Sequence, residues 1–166
     1  MCGIIGVISD KEVVPTILEV LRKLEYRGYD SAGLATIRET KIERRRAKGK
    51  IYNLEALVKE YPISGKIGIG HTRWATHGAP SEGNAHPHQT GSVVGVHNGI
   101  IENFREIKTD LENQGYKFTS DTDTEVIVQL CSSYLDLGYS CEKSFEKTLN
   151  RLEGAFALCF MFQENE

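Results

Sequence analysis

The sequence predicts an α+β fold, and three observations lead to this class. Strand-like apolar runs dominate the first hundred residues, three helical segments then follow one another, and a last apolar run predicts one more strand. Some neighbouring strands are separated by only a few residues, which is typical of antiparallel pairs and not of a doubly wound parallel sheet. At 166 residues the chain is long enough for one domain with a sizeable core.

The first part of the chain opens with a buried strand and a helix. Gly3 to Ile8 is a continuous apolar run, which predicts a strand covered on both faces. Residues 13–26 are predicted to be helical, because Pro15 suits a first turn and Ile17 and Leu21 share one face. By the same patterns we predict strands at 32–37, 41–47 and 67–72 and a helix at 53–60.

The second part is predicted to begin with a long loop over residues 74–91, which is rich in glycine and proline. A structureless loop of this length inside a domain is usually functional. Val93 to His97 reads as a strand, and we expect Asn98-Gly99 to form the turn that ends it. The remaining predicted elements are helices at 103–114, 123–136 and 142–152 and a strand at 155–162.

Composition and charge exclude several classes of protein. Lys and Arg number 20 against 23 Asp and Glu, and a net charge of −3 argues against a dedicated nucleic-acid binder. No apolar run approaches the roughly 20 residues of a membrane span, and no basic segment precedes the first apolar run, so we expect a cytoplasmic protein. A basic cluster at residues 41–50 is expected to be a solvated face rather than a polyanion site.

Among the four cysteines, Cys2 is the candidate nucleophile because of its position. The four form no CxxC pair and no metal-finger spacing, and we expect free thiols. Removal of Met1 would leave Cys2 with a free α-amine, whose pKa near 8 makes part of it a base at neutral pH. One residue would then supply both nucleophile and base. On its own, however, Cys2 could simply be an apolar residue that opens a buried strand.

Three further sites complete a plausible reaction centre. Arg73 follows a strand, and its planar guanidinium suits a carboxylate. A side-chain amide and a backbone N–H at Asn98-Gly99 could form an oxyanion hole. Asp123 opens a helix, where it could be an N-cap or could bind an ammonium group. The set fits an amino acid with a reactive side-chain carbonyl, and glutamine meets that description.

Six blocks of the chain resemble class II glutamine amidotransferases, in order and over nearly the whole length. They are residues 2–6, 26–33, 71–78, 84–88, 97–103 and 122–125. Within that family they are most similar to the glutaminase domains of glucosamine-6-phosphate synthases. The purine-pathway members share the Cys start and the Asn-Gly pair but differ around Arg73. The resemblance implies an N-terminal-nucleophile hydrolase fold, a four-layer αββα sandwich with two antiparallel sheets between helix layers.

The resemblance also implies catalytic roles. Cys2 would attack the amide carbon of L-glutamine and form a thioester, with its own α-amine carrying the proton. Asn98 and the Gly99 N–H would stabilise the oxyanion, and Arg27 would support the nucleophile. No cofactor is implied. No metal is expected either, since His86-Pro87-His88 has no third ligand at a convincing spacing.

The substrate-binding residues implied by the resemblance are Arg73, Trp74, Thr76, His77, His86 and Asp123. Arg73, Thr76 and His77 would receive the α-carboxylate, whereas Asp123 and a Gly99 backbone group would receive the α-ammonium. Trp74 would lie where ammonia leaves, and His86 in a loop that covers the site. His71 and His97 are expected to be hydrogen-bonded core histidines at strand ends.

We expect residues 1–166 to be one glutaminase domain that is truncated at its C-terminal end. The family domain continues with further strands, and its sugar isomerase domains are absent here. Uncovered strands would predict self-association or a partner, such as a separate sugar isomerase chain. Three functions stay open: an active amidotransferase of this type, a related enzyme with another acceptor such as a phosphoribosyl amine, and a non-catalytic remnant that only binds glutamine.

Overall fold

The computed structural model describes residues 2–75 and 78–163. The strands are β1 (Gly3–Ile8), β2 (Ser31–Arg38), β3 (Lys41–Lys48), β4 (Ile67–Arg73), β5 (His88–Thr90), β6 (Val93–Ile101) and β7 (Gly154–Phe162). The α-helices are α1 (Val14–Lys23), α2 (Ile51–Glu60), α3 (Phe104–Asn113), α4 (Asp123–Asp136) and α5 (Cys141–Arg151). None of the helices in these ranges is long and apolar enough to cross a membrane.

Two antiparallel sheets stack face to face between helix layers. The first sheet has the order β1-β4-β2-β3 and the second has the order β5-β6-β7. Helices α1 and α2 pack on the outer face of the first sheet, and α3 to α5 lie on the side of the second sheet. The α+β class and the four-layer order expected from the sequence are therefore confirmed.

The core is divided by the two sheets. Between them lie small and branched side chains such as Ile69 and Val96, which interdigitate where the sheets face each other. On the outer face of the first sheet, α1 approaches β4 closely at Gly70, where an added Cβ would lie 2.5 Å from the Ile17 Cγ2. The missing side chain at Gly70 therefore lets the helix pack directly on the strand.

Two predictions for the loop-rich centre of the chain were wrong. Asn98-Gly99 does not form a turn: β6 continues to Ile101, and β7 pairs with it along its whole length. The positive φ of Gly99, 118°, is accommodated inside a paired strand. Residues 88–90 of the predicted loop pair with β6 as strand β5. Around Asn98-Gly99 the partner is β7, a strand distant in sequence, which local turn signals cannot reveal. Strand β5 instead forms a hairpin with β6 across the short turn at residues 91–92.

The basic cluster on β3 is not the solvated face that we expected. Arg44 and Arg46 are half-buried, and burial lowers the pKa of both guanidinium groups, that of Arg44 to about 10. The Arg44 Nη1 donates to the carbonyl of Pro87 over 3.0 Å. The Arg46 Nη1 donates to the carbonyls of Gly83 and Ala85 over 3.1 and 3.0 Å. Arg44 and Arg46 therefore fix the loop over residues 83–87, which runs beside β3.

Sheet register brings distant parts of the chain to one place. Gly3 pairs with Thr72, and Ser31 pairs with Arg73, so the beginnings of β1 and β2 lie beside the end of β4. The second sheet stacks on this region through β6, whose far end leads towards α3. The chain segments around Cys2, Arg73 and Asn98 consequently converge at one end of the sandwich.

Candidate active site

One small pocket, with a free volume of about 20 Å³, contains six of the ten residues that the sequence singled out. These are Cys2, Arg73, Trp74, His86, Gly99 and Asp123. Two further residues, His97 and Thr122, complete the lining. The six come from five separate parts of the chain, and only the fold brings them together. Thr76 and His77 lie outside the described residues.

Cys2 lies at the start of β1 and is half-buried. Its Sγ accepts a hydrogen bond from the Trp74 N–H over 3.1 Å, just beyond the end of β4. The antiparallel pairing of β1 with β4 is the reason, since it brings the residue before Gly3 opposite the residues after Thr72. A sulfur held by a backbone N–H and open on its other side can meet an electrophilic carbon in the pocket.

Arg73 is the last residue of β4 and is only 3% exposed. Its Nη1 lies 3.5 Å from the Asp30 Oδ1, and its Nη2 donates to the Gly78 carbonyl over 3.0 Å. Asp30 is itself fixed, because its carboxylate also accepts from the Ser31 hydroxyl over 2.9 Å and from the Ala75 N–H. A buried guanidinium held in this way is a ready receptor for a carboxylate group.

Asp123 supplies a negative charge on another wall of the pocket. It lies in the first turn of α4, is 4% exposed, and accepts from the Ile101 N–H over 3.2 Å. Its Oδ1 is 3.6 Å from the His97 Nδ1. The N-cap of α4 is Thr122 rather than Asp123, because the Thr122 Oγ1 accepts from the Glu125 N–H over 3.2 Å. The Asp123 carboxylate therefore lines the pocket as a buried acidic group, the kind that an ammonium group binds.

Asn98 and Gly99 follow one another on β6. The Asn98 Oδ1 lies 2.8 Å from the Nε2 of His71, a residue of the facing sheet. Gly99 lines the pocket, and its backbone lies so close to β7 that an added Cβ would be 2.1 Å from the Ala155 carbonyl oxygen. A side chain is excluded there both by this contact and by the positive φ.

Trp74 and Arg27 lie at the edge of the site. The Trp74 side chain is 53% exposed, and its ring lies over Gly28, where an added Cβ would be 2.7 Å from the ring. Arg27 belongs to a 3₁₀ turn, is exposed, and lies over the Tyr26 ring at 5.8 Å. The turn that carries Arg27 therefore packs beside Trp74 and not within the pocket lining.

A cluster of buried histidines between β4, β5 and β6 reaches the pocket wall at His86 and His97. The His86 Nε2 lies 2.9 Å from the Thr124 Oγ1, the His97 Nδ1 lies 3.1 Å from the same oxygen, and the His71 and His86 ring centroids are 4.1 Å apart. Burial lowers the pKa of His71 to about 3 and holds those of His86 and His88 well below their usual range. These three rings are therefore neutral near pH 7.

The histidine cluster does not form a metal site in the described part of the chain. No three His, Cys, Asp or Glu side chains within residues 2–75 and 78–163 come together as ligands of one ion. The rings instead share the hydroxyls of Thr122 and Thr124, which can donate to one ring and accept from another. His71 and His97 are both buried and hydrogen-bonded, as the sequence predicted.

Several residues that shape the site were missed from the sequence. Asp30 fixes Arg73, His71 contacts Asn98, and His97 and Thr122 line the pocket. Asp30, Thr122 and both histidines do lie within blocks that carry the family resemblance. Spacing alone could not have revealed them, because their contacts bridge segments 27 to 43 residues apart.

Comparisons with known proteins show which family the chain is similar to. The family model described as a glutamine amidotransferase domain matches residues 71–166. The chain is 57% identical, over its full length, to a glutamine–fructose-6-phosphate aminotransferase (isomerizing) of Bradyrhizobium diazoefficiens, and 54% identical to that of Mesorhizobium japonicum. It covers 27% of each of these relatives, so it spans about a quarter of their length.

Solved structures show the same arrangement of elements. A glutamine phosphoribosylpyrophosphate amidotransferase from B. subtilis superposes with a TM-score of 0.83 at 27% identity, over 98% of this chain and 35% of that one. A class-II glutamine aminotransferase domain protein from Silicibacter pomeroyi superposes with a TM-score of 0.62 at 15% identity, over 97% of this chain and 73% of that one, which supports the fold alone. With more than half of its residues matched by the family model, the chain belongs to the glutamine amidotransferase domain family.

Proposed function

We propose that this domain hydrolyses the side-chain amide of L-glutamine through Cys2, and that the ammonia aminates fructose 6-phosphate to glucosamine 6-phosphate in a longer protein. The observation that carries the proposal is the single pocket that holds a thiol, a buried guanidinium and a buried carboxylate. Cys2, Arg73 and Asp123 are the three groups needed to attack an amide carbon and to bind the carboxylate and ammonium of an amino acid.

The reaction proceeds in two halves. In the first, the Cys2 thiol transfers its proton to the α-amine while Sγ bonds to the amide carbon. The oxyanion of the tetrahedral intermediate is stabilised by the Asn98 amide and the Gly99 N–H. The α-amine then protonates the leaving nitrogen, the C–N bond breaks, and ammonia departs past Trp74. In the second half a water attacks the thioester and gives a proton to the α-amine, which returns it to the departing Cys2 sulfur as glutamate is released.

Substrate recognition uses the two buried charges. Arg73 receives the α-carboxylate together with Thr76 and His77, and Asp123 receives the α-ammonium together with a backbone group of Gly99. The pairing of Arg73 with Asp30 supports this role, since a fixed guanidinium loses little freedom when it binds. His86 belongs to the loop that covers the site, and Arg27 supports the nucleophile from the neighbouring turn.

The proposal requires that Met1 be removed. A retained Met1 would convert the Cys2 α-amine into an amide, which is no base at neutral pH. Intact mass of the purified protein measures this directly. The expected mass lacks one methionine, and a protein that keeps Met1 should bind glutamine without turning it over.

Glutamate release from glutamine is the test of the activity, with Cys2→Ala as the inactive variant. Cys141→Ala is a matched control, because Cys141 is another half-buried thiol but lies on α5, away from the pocket. We expect Cys141→Ala to release glutamate at the parent rate and Cys2→Ala to release none above background. Glutamine binding by calorimetry without turnover in the unmodified chain would instead select a non-catalytic remnant.

The acceptor and the partners are also part of the proposal. The relatives named for fructose 6-phosphate are about four times longer than this chain, so a sugar isomerase part, in the same protein or a separate one, would use the ammonia. Self-association is proposed through β7, which pairs only with β6 among the described strands and carries half-exposed Phe156 and Leu158. Light scattering at two concentrations tests it, and a monomer at both would contradict it.

A further inference from the structure

We infer that His71 is a positioning residue for the reaction, because it orients the Asn98 amide so that its N–H₂ serves the oxyanion. The inference rests on the proposed function, in which Asn98 is an oxyanion donor. It adds a residue that belongs to neither the pocket lining nor the set of substrate contacts.

The contact between the two side chains joins the two sheets. His71 lies on β4 of the first sheet and is completely buried, whereas Asn98 lies on β6 of the second sheet. The His71 Nε2 and the Asn98 Oδ1 are 2.8 Å apart, which is a good hydrogen-bond distance. An amide oxygen can only accept, so this orientation of Asn98 requires the proton of the bond to lie on Nε2.

Because the His71 ring is neutral, it has only one N–H, and the requirement that Nε2 carries the proton selects one of its two tautomers. Burial lowers its pKa to about 3, so that the ring is neutral at neutral pH and carries one N–H. If that N–H is at Nε2, then Nδ1 carries a lone pair. The backbone of His97 also lies close enough to the ring to raise its pKa, so Asn98 and this backbone compete for the single N–H of the neutral ring. The ring is also held in place by His86, whose centroid is 4.1 Å away.

The consequence for Asn98 follows from amide geometry. The terminal torsion of asparagine is broad and two-fold, so its oxygen and nitrogen could exchange places at little cost without a partner. With Oδ1 bound to His71, the N–H₂ group points away from His71. A flipped amide would present its oxygen to the developing negative charge, and the repulsion would oppose the reaction.

A purely structural role for His71 makes different predictions. A histidine that only satisfies a buried amide would affect stability, and its loss would combine independently with the loss of Asn98. A positioning residue acts through Asn98, so its loss should lower kcat, leave KM nearly unchanged, and have no further effect once Asn98 is gone.

The first test is the tautomer of His71 in the unmodified protein, read from the ¹⁵N shifts of the ring nitrogens by NMR. We expect the proton on Nε2. A proton on Nδ1 would overturn the inference, since Nε2 would then accept from the amide N–H₂ and turn it away from the oxyanion. This measurement needs no activity, so it remains decisive even if the proposed function fails.

The second test uses two variants that place an amide donor at different positions. His71→Gln puts its N–H₂ near the place of Nε2, whereas His71→Asn puts it near that of Nδ1. We expect His71→Asn to lower kcat for glutamine by about 10²- to 10³-fold, the usual effect of losing an oxyanion donor, with KM within about threefold. His71→Gln should recover most of that loss.

The third test is a double-mutant cycle, in which His71→Asn is combined with Asn98→Ala. We expect kcat of His71→Asn/Asn98→Ala to be no lower than that of Asn98→Ala alone. His88→Asn is the control at another buried histidine, and any fold-loss in kcat that it causes should multiply with the loss caused by Asn98→Ala. Retained circular dichroism and protection of the buried Cys131 from iodoacetamide exclude unfolding as the cause. Losses that multiply in the His71 cycle would overturn the inference. An unmodified chain that releases no glutamate would refute the proposed function instead.

Discussion

Mild acid should destabilise this domain well above the pH at which carboxylates titrate. His71, His86 and His88 are buried, and burial is the largest cause that lowers the pKa of each ring. For His88 the nearby Arg46 and Arg44 guanidinium groups lower it further. In the unfolded chain the same rings have a pKa near 6.5 and bind protons as the pH falls below it.

The sign follows from proton binding. Below pH 6.5 the unfolded state binds more protons than the folded state, so the free energy of unfolding falls with falling pH. Each ring that stays neutral in the folded state lowers the free energy of unfolding by about 1.2 kcal/mol when the pH falls from 7 to 5.5. The three rings together lower it by about 4 kcal/mol. The effect is fully absent above about pH 7 and grows as the pH approaches the folded-state pKa values. Total stabilities of domains are only about 5–15 kcal/mol, so a loss of this size is readily measured.

Urea unfolding followed by circular dichroism at pH 7 and pH 5.5 measures the difference. His88→Gln removes one titrating ring and should shrink the loss to about 2.5 kcal/mol. A loss below about 1 kcal/mol in the parent chain would refute the reasoning, because at least two of the three rings would then be charged or hydrated in the folded state. Work above pH 5 keeps most carboxylate titration out of the comparison.

Three other changes have defined outcomes. Arg73→Lys keeps the charge but loses the fork that pairs with Asp30, and in glutaminase assays it should raise KM for glutamine by about 10- to 100-fold with little change in kcat. Gly99→Ala brings a Cβ within 2.1 Å of the Ala155 carbonyl oxygen at positive φ. It should lower the thermal midpoint by several degrees and abolish glutamate release, and an unchanged midpoint would contradict this close approach of β6 to β7. Arg46→Met removes two hydrogen bonds to the 83–85 loop and should speed amide hydrogen exchange there, with β1 exchange unchanged.

Much of the fold could be predicted because it depends on local patterns. The apolar run of β1 and the helices α1 and α5 lie where the sequence indicated, within one to three residues at most ends. Helix α1 ends earlier than predicted, at Lys23, since a 3₁₀ turn over Glu25–Arg27 takes the chain away from the helix axis. Periodicity identifies an element and its buried face, but it fixes the ends only loosely.

The reactive groups of the candidate site could be predicted from the sequence, but the contacts that orient them could not. The thiol of Cys2 and the charges of Arg73 and Asp123 suggested an amino-acid substrate because those residue types have few other uses together. The pocket that joins them is consistent with that interpretation. The roles of Thr76 and His77 stay predictions, as they lie outside the described residues.

The sequence by itself therefore determined the α+β class, most elements and the reactive groups, since each depends on residues close together in the chain. Only the tertiary structure decided that Asn98-Gly99 lies inside a paired strand, that Arg44 and Arg46 hold a loop, and that His71 contacts Asn98. The physical reason is that these contacts depend on sheet register and on the stacking of two sheets. Both join residues far apart in sequence, and no local propensity encodes which atoms will meet.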